Sequence, residues 1–317
     1  MSKKYDLMTV GLTTLDVTIY PVSSLPEPDS GEIVETIKLT PAGTAAGTAL
    51  IAQTLGLSAC VVSAVGSDPQ GSVVRTMLDE AGVETSMLAT LEGMPTSTTV
   101  LPVRPDGQHP NFHMLGASVM ASLPEAAWAS LEDTAAVHWA GVGFPGLRES
   151  GPAFLEAARK AGAFVTCDLI APTDAAREDI DGLLPHVDLF MPSLAEMRFL
   201  AGTQDPDAAA QAFMAKGAGA CLFKMGAEGA LLITPGMRLQ VPAFSITPKD
   251  TTSCGDSVCA AWHVARSRGL APEEALRFAA ATAALVAQDA GTTGLLSDFE
   301  STLAFARTAP QRSEVAA

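Results

Sequence analysis

Residues 250–265 read Asp250-Thr251-Thr252-Ser253-Cys254-Gly255-Asp256-Ser257-Val258-Cys259-Ala260-Ala261-Trp262-His263-Val264-Ala265. A run of small polar residues leads directly into an apolar pattern of helical period. That is the composition of an anion-binding loop opening onto a helix N-terminus, where unpaired backbone N–H groups and the positive end of the helix dipole converge. Asp256 falls at that end. A carboxylate there can take a proton from an attacking hydroxyl while the N–H groups take up charge on a transferred phosphoryl group. The plainer alternative is that Asp256 only caps the helix dipole. The hydroxyls of Thr251, Thr252 and Ser253, and a Gly255 that lets the backbone approach a ligand closely, favour the first reading.

Upstream of this stretch, short apolar runs alternate with helical patterns. Leu7–Val10, Cys60–Val65, Ala135–Ala140, Phe164–Cys167, Val187–Met191, Ala220–Phe223 and Ala230–Ile233 read as buried strands. Helical patterns fall at Ala45–Leu55, Ser72–Ala81, Gly151–Ala161, Ala176–Leu184, Leu194–Leu200 and Ala208–Ala215. The last third is helical, at Gly255–Ser267, Glu273–Gln288 and Asp298–Ala306. Unbroken apolar strands alternating with helices predict an α/β fold, a three-layer α/β/α sandwich with a mostly parallel central sheet. Residues 14–40 and 96–115 differ. They alternate polar and apolar residues, as in Glu32-Ile33-Val34-Glu35-Thr36-Ile37, and carry Pro and Gly. These read as half-exposed antiparallel strands forming a small β lid, with ordinary peripheral hairpins as the alternative. The expectation is one domain over residues 1–317 with a frayed polar tail from Thr308.

With 317 residues and 48% hydrophobic content the chain can bury a large core. A net charge of −16 argues against a nucleic-acid or membrane-surface partner. No apolar run reaches the roughly 20 residues of a membrane span, and the N-terminus is not a signal peptide. The five cysteines, at 60, 167, 221, 254 and 259, are odd in number and form no C-x-x-C pair. A reducing cytoplasm is therefore expected, with Cys60, Cys167 and Cys221 as small buried hydrophobes.

Asp250-Thr251-Thr252-Ser253-Cys254-Gly255-Asp256-Ser257 resembles D-T-x-G-A-G-D-S, the C-terminal signature of the pfkB/ribokinase-like carbohydrate kinases. Ser253 stands for a usual Gly and Cys254 for a usual Ala. The resemblance implies a ribokinase-like fold and an ATP-dependent kinase acting on a hydroxyl of a sugar or sugar-like molecule. It implies Asp256 as catalytic base and the backbone of Ser253, Cys254, Gly255 and Asp256 as anion hole. Asp250 and Thr252 would help form a monovalent-cation site, with K+ as the candidate ion. Gly11-Leu12-Thr13-Thr14-Leu15-Asp16 resembles the family's first strand end, where the Asp holds substrate hydroxyls; a turn aspartate is the alternative. Ala42-Gly43-Thr44-Ala45-Ala46-Gly47 resembles its G-G-x-x-x-N segment, with Gly47 where a substrate-binding Asn is usual. Val65-Gly66-Ser67-Asp68-Pro69-Gln70-Gly71 resembles V-G-x-D-x-x-G and reads as a structural turn. Pro192-Ser193-Leu194-Ala195-Glu196 resembles N-x-x-E, with Ser193 replacing Asn. Positions i and i+3 share a helix face, so both can point at one Mg2+ shell, Glu196 through water. Lys224-Met225-Gly226-Ala227-Glu228-Gly229 resembles the nucleotide loop, with Lys224 meeting ATP phosphates. Ala280–Ala284 would line the adenine.

One motif competes. Gly141-Val142-Gly143-Phe144-Pro145-Gly146 is a G-x-G-x-x-G after a strand, with Asp168 at the end of the next strand. That is the context of a dinucleotide fingerprint, although Pro145 stiffens the loop. Gly141 and Gly143 alternatively line the cleft, and Asp168 is a substrate-crevice candidate under either reading. No G-x-x-x-x-G-K-[ST] is present, so a P-loop kinase is excluded. His109 and His113 lie in the lid, where they can touch substrate; His138 and His263 read as packed interior residues. A nucleoside kinase, an NAD-dependent dehydrogenase and a non-catalytic sugar-sensing module stand as alternatives to the sugar kinase. A homodimer is expected, because lid strands with apolar faces can pair across a two-fold axis.

Overall fold

A computed structural model describes residues 3–312. Its strands are β1 Leu7–Gly11, β2 Thr14–Tyr20, β3 Thr36–Ala42, β4 Ala59–Gly66, β5 Leu88–Leu91, β6 Thr98–Pro102, β7 Phe112–Met114, β8 Ala136–Ala140, β9 Phe164–Cys167, β10 Leu189–Phe190, β11 Cys221–Lys224, β12 Ala230–Thr234 and β13 Met237–Val241. Its α-helices are α1 Ala46–Thr54, α2 Pro69–Glu80, α3 Glu125–Ala129, α4 Pro145–Arg148, α5 Gly151–Lys160, α6 Asp174–Leu183, α7 Leu194–Ala201, α8 Pro206–Ala215, α9 Cys254–Ser267, α10 Pro272–Val286 and α11 Phe299–Thr308.

The central strands are apolar throughout because both sheet faces are covered. Successive side chains of a strand point to opposite faces. Leu7 of β1 and Val61 of β4 accordingly join one core with Ile51, Val264 and Phe278 from α1, α9 and α10. Their neighbours Met8 and Val62 join the opposite core with Phe154, Ile180 and Phe213 from α5, α6 and α8. The order is β13-β12-β11-β10-β9-β8-β1-β4-β5. It is parallel from β5 to β11 and antiparallel across β12 and β13. The antiparallel end comes from a two-residue turn at Pro235-Gly236, which allows only a hairpin.

A second sheet, β3-β2-β6-β7, forms the lid. Its two hairpins are antiparallel, but β2 and β6 run parallel, in contrast to the expected all-antiparallel arrangement. β2 continues from the carboxyl end of β1 and β6 from that of β5, so both leave the main sheet in one direction. Thr14, Asp16, Thr99, Leu101 and His113 face a cavity. On the other face Leu39, Val17, Val100 and Phe112 line up in register across all four strands.

The expected fraying from Thr308 does not extend through residue 312. Ser245 N–H donates to Pro310 O at 2.9 Å and Arg312 N–H to Ala243 O at 2.7 Å, so this segment is fastened beside Phe244. Residues 313–317 lie outside the described residues.

The V-G-x-D segment is the structural turn expected. Asp68 caps α2 by accepting from Gly71 N–H at 2.9 Å, and it accepts from Thr96 N–H at 2.8 Å and from the Thr96 hydroxyl. One carboxylate thus ties a helix start to the root of β6. Partial burial opposes its charge, but these bonds hold its pKa below the ordinary value. The Asp68→Ala variant is expected to lose about 2 kcal/mol of stability in urea denaturation at pH 7. A depressed carboxyl pKa contributes stability that is fully present above the unfolded value near 4 and lost as pH falls through the folded value. The gap between wild type and variant should therefore narrow below pH ~4; a gap independent of pH would contradict the assignment.

Candidate active site

The carboxyl ends of the parallel strands and the inner face of the lid enclose a cavity of about 810 Å3. Ligands of open parallel sheets bind at this end. Asp16, Gly43 and Thr44 line the lid side. Lys224, Gly226, Gly229, Phe244, Ile246 and the small residues Ala280, Ala283, Ala284 and Ala287 line the other. Residues 251–256 lie among the lining between them.

Two buried anchors shape the cradle. Asp250 is 1% exposed; one carboxylate oxygen accepts from Thr252 N–H and the other from Gly291 N–H, both at 2.9 Å. Asp250 is therefore a loop clamp, whatever else it binds. Thr251 shares a 2.8 Å hydrogen bond with His109 Nε2 from the lid. Ser253 begins α9 in the left-handed region, at φ 56°. That conformation explains why the resembling signature carries Gly there. The Thr252 hydroxyl is buried without a partner.

Asp256 lies in the first turn of α9. Burial, reinforced by the negative charges of Asp168 and Asp16, pushes its pKa up to about 7, against the pull of Lys224 and the Ser253 hydroxyl. Asp16, 4% exposed on β2, is also pushed up to about 7, first by burial and then by Asp250; the hydroxyls of Thr99 and Thr14 work the other way. A carboxyl that changes protonation near neutral pH, aimed into a cavity and beside a helix N-terminus, is suited to acid–base chemistry.

Gly47 does not line the cavity. It sits in α1 behind Asp256, where a Cβ would lie 3.2 Å from Asp256 Oδ2 and 3.6 Å from Ser253 Oγ. The glycine therefore leaves room for the Asp256 carboxylate. A side chain there would point toward Asp256 and Ser253, both of which line the cavity.

Lys224 ends β11 and forms a buried ion pair with Asp168, which follows β9. Burial opposes the ammonium charge, yet the carboxylates of Asp168 and Glu196 overcome this and hold its pKa above the ordinary value. A Cβ on Gly255 would lie 3.5 Å from Lys224 Nζ, so the ammonium sits under the cradle. Ser193 and Glu196 do not stand side by side as metal ligands. They form a capping box on α7: the Ser193 hydroxyl accepts from Glu196 N–H at 3.3 Å, and Glu196 Oε2 accepts from Ser193 N–H at 2.6 Å. Glu196 keeps its other oxygen for the cavity it lines. Burial and the charge of Asp168 raise its pKa. Gly229 is required for packing, since a Cβ would come within 2.0 Å of Val241 O.

The G-x-G-x-x-G motif is not a pyrophosphate site. Neither Gly141, Gly143 nor Gly146 lines the cavity, and α4 after it has only 4 residues. A Cβ on Gly141 would meet Leu147, and one on Gly146 would meet Ala121 O, so the glycines serve packing. Sequence reasoning missed Asn111, Phe244, Ile246 and Arg312, all of which line the cavity. Arg312 carried no local signal, because the bridge between Phe244 and Gln311 brings it there.

Anion cradle, buried carboxylate and strand-end lysine define a phosphotransferase with an alcohol acceptor. A model of the pfkB family carbohydrate kinase matches residues 4–298. A nucleoside kinase from Methanothermobacter thermautotrophicus is 26% identical over 297 residues, covering 92% of each chain. A ribokinase from Arabidopsis thaliana is 28% identical over 314 residues, covering 94% of this chain and 80% of the relative. Among solved structures, Arabidopsis ribokinase complexed with ribose and ATP superposes with a TM-score of 0.79 at 24% identity, covering 97% of this chain and 99% of that one. A putative ribokinase II from E. coli in complex with ATP and Mg2+ gives 0.84 at 20% identity, with the same coverage. The chain belongs to the pfkB family of carbohydrate kinases, and its fold is that of the ribokinases.

The left-handed Ser253 costs about 1 kcal/mol relative to a residue without Cβ. Ser253→Gly should therefore keep or slightly raise the urea midpoint, the gain being reduced by the added freedom of the unfolded chain. A clear loss of stability would show that the Ser253 hydroxyl outweighs its backbone.

Proposed function

We propose that the whole chain, residues 1–317 with a lid at 14–40 and 96–115, transfers the γ-phosphoryl group of ATP to a hydroxyl of a small sugar or sugar-like acceptor. The observation that carries this reading is Asp256, half-buried in the first turn of α9 where it lines the cavity, with its pKa pushed up to about 7. Asp16, Gly43 and Thr44 hold the acceptor against the lid. Asp256 removes the proton from the attacking hydroxyl. The backbone N–H groups of Ser253, Cys254, Gly255 and Asp256 take up the charge on the moving phosphoryl, and Lys224 adds a positive charge beneath them. Lid closure keeps out water, which would otherwise compete as nucleophile. ATP lies along Gly226, Gly229 and the alanines of α10, with Ser193 and Thr252 beside its phosphates. The residues fit a magnesium ion as well: Glu196 has one oxygen free to hold it through water, and it would neutralise phosphate charge. A monovalent cation, K+ being the candidate, would sit by Asp250, whose oxygens retain acceptor capacity, and by the unpartnered Thr252 hydroxyl.

The second reading is a nucleoside kinase. The apolar walls Leu12, Leu101, Leu169 and Ile170 on the acceptor side favour it, since a base presents more apolar surface than a free sugar. ATP with ribose, fructose, 2-keto-3-deoxygluconate or nucleosides, followed by ADP release, separates the two. Turnover on none of them would overturn both.

Asp256→Asn should reduce kcat by about 10²–10⁴-fold with little change in urea midpoint; near-normal turnover would remove its role. As a base, Asp256 works only when ionised, so kcat/KM should rise as pH rises through about 7. Asp16 raises the pKa of Asp256, so the residual activity of Asp16→Asn should show that limb at lower pH. An unmoved limb would assign it to another group.

The apolar row on the lid's outer face supports a homodimer: Ile37 is 66% exposed and Phe112 59%. Phe112→Asp should shift sedimentation toward the monomer, and an unchanged species would argue against pairing through the lid. The cysteines at 60, 167, 221, 254 and 259 are all unpaired, which fits a reducing cytoplasm.

A further inference from the structure

Behind the Lys224–Asp168 pair lie two buried side chains, His138 and Cys259, that phosphoryl transfer does not use, and they cluster with Asp168. One ligand atom from each of His138, Asp168 and Cys259 lies within 4.8 Å of the others, and all three residues are buried. Cys259 Sγ is 3.4 Å from Asp168 Oδ2. Two atoms of these residues have no hydrogen-bond partner: His138 Nε2 and Asp168 Oδ1, the carboxylate oxygen that does not hold Lys224. Unpartnered polar atoms in an interior are costly and rare, so two in one cluster call for an occupant.

We propose that His138, Asp168 and Cys259 form a buried binding site for a soft divalent transition metal such as Zn2+, entered from the cavity past Lys224. Thiolate, imidazole and carboxylate together select such a metal over Mg2+ or K+, which prefer oxygen alone. Tetrahedral zinc with bonds of about 2.3 Å to sulfur and 2.0–2.2 Å to oxygen separates those two ligands by about 3.5 Å. The 3.4 Å between Cys259 and Asp168 already has that value. The imidazole has to approach, and Lys224 Nζ, which holds the same Asp168 oxygen, has to withdraw.

The surroundings prepare the imidazole. His138 Nδ1 shares a 2.8 Å hydrogen bond with the Thr166 hydroxyl, which shares another of 2.9 Å with His263 Nε2. Burial lowers the pKa of both histidines, so both rings are neutral at pH 7. A metal on His138 Nε2 fixes the direction of this chain: Nδ1–H donates to Thr166, and Thr166 donates to His263 Nε2. A donor-oriented ring of this kind is a recurrent support for metal-binding histidine. On binding, the Cys259 thiol loses its proton to solvent and the Lys224 ammonium leaves Asp168 for the cavity, one +2 ion replacing two single positive charges. Glu196 and Asp256 are the other charged groups facing Asp168 and Lys224.

Cobalt is the probe. Co2+ titrated into the metal-free full-length protein should produce a thiolate-to-cobalt charge-transfer band in the near ultraviolet. The band should saturate near one equivalent, release about one proton per metal, and disappear when Zn2+ is added but not when Mg2+ is. Cys259→Ser should lack the band and Cys254→Ser should keep it. His138→Gln should weaken Co2+ binding at least tenfold. No band in the wild type, or a band that survives Cys259→Ser, overturns the site. If Cys259→Ser does not fold, unchanged affinity in His138→Gln overturns it and a tenfold loss supports it. The readout is independent of phosphoryl transfer, so it stands or falls apart from the proposed activity.

Discussion

The Lys224–Asp168 pair governs the site. Asp16, Asp168, Glu196, Asp250 and Asp256 all line or border one cavity, and Lys224 is the ammonium set among them. Unscreened carboxylates in a half-dry cavity repel one another and protonate. Lys224 lowers the pKa of Asp256 and of Glu196 and prevents this from going further. The pair is made by strand order alone. β10 separates β9 from β11, and the residues at the two strand ends meet across it. Removing either partner would leave a buried charge uncompensated, so the sheet topology and the electrostatics of the site are one constraint.

Most of the fold was legible because it rests on periodicity. Unbroken apolar runs marked the central strands, and the runs at 164–167 and 230–233 fall within one residue of β9 and β12. The edges were less legible. β13 alternates Met, Arg, Leu, Gln and Val with one face in solvent, and this strand was not read from the sequence. The parallel β2–β6 contact joins residues more than 80 apart, and no local pattern encodes such a pairing.

The site was legible where chemistry demands a residue type at a fixed spacing, as around Asp256. It was less so where a side chain has two uses. Ser193 and Glu196 have the i, i+3 spacing of a shared face, but that is also the spacing of a capping box, and the backbone claims both side chains. Gly47 looked like a missing acceptor contact because its departure was judged by type alone. Its place behind Asp256 shows that what matters there is the volume it leaves.

The lid's parallel seam has a mechanical consequence. The two hairpins enter from different places in the chain and are joined by the ladder between β2 and β6, with Asp16 and Thr99 opposite each other on it. Such a ladder couples the two hairpins, so the four strands form one sheet rooted near residues 12 and 97. Asp16, Thr99 and His113 are carried on this one sheet, and His109 of the same lid bonds Thr251 of the cradle. The lid wall of the cavity and the cradle are therefore joined through two links, the β2–β6 seam and the His109–Thr251 bond.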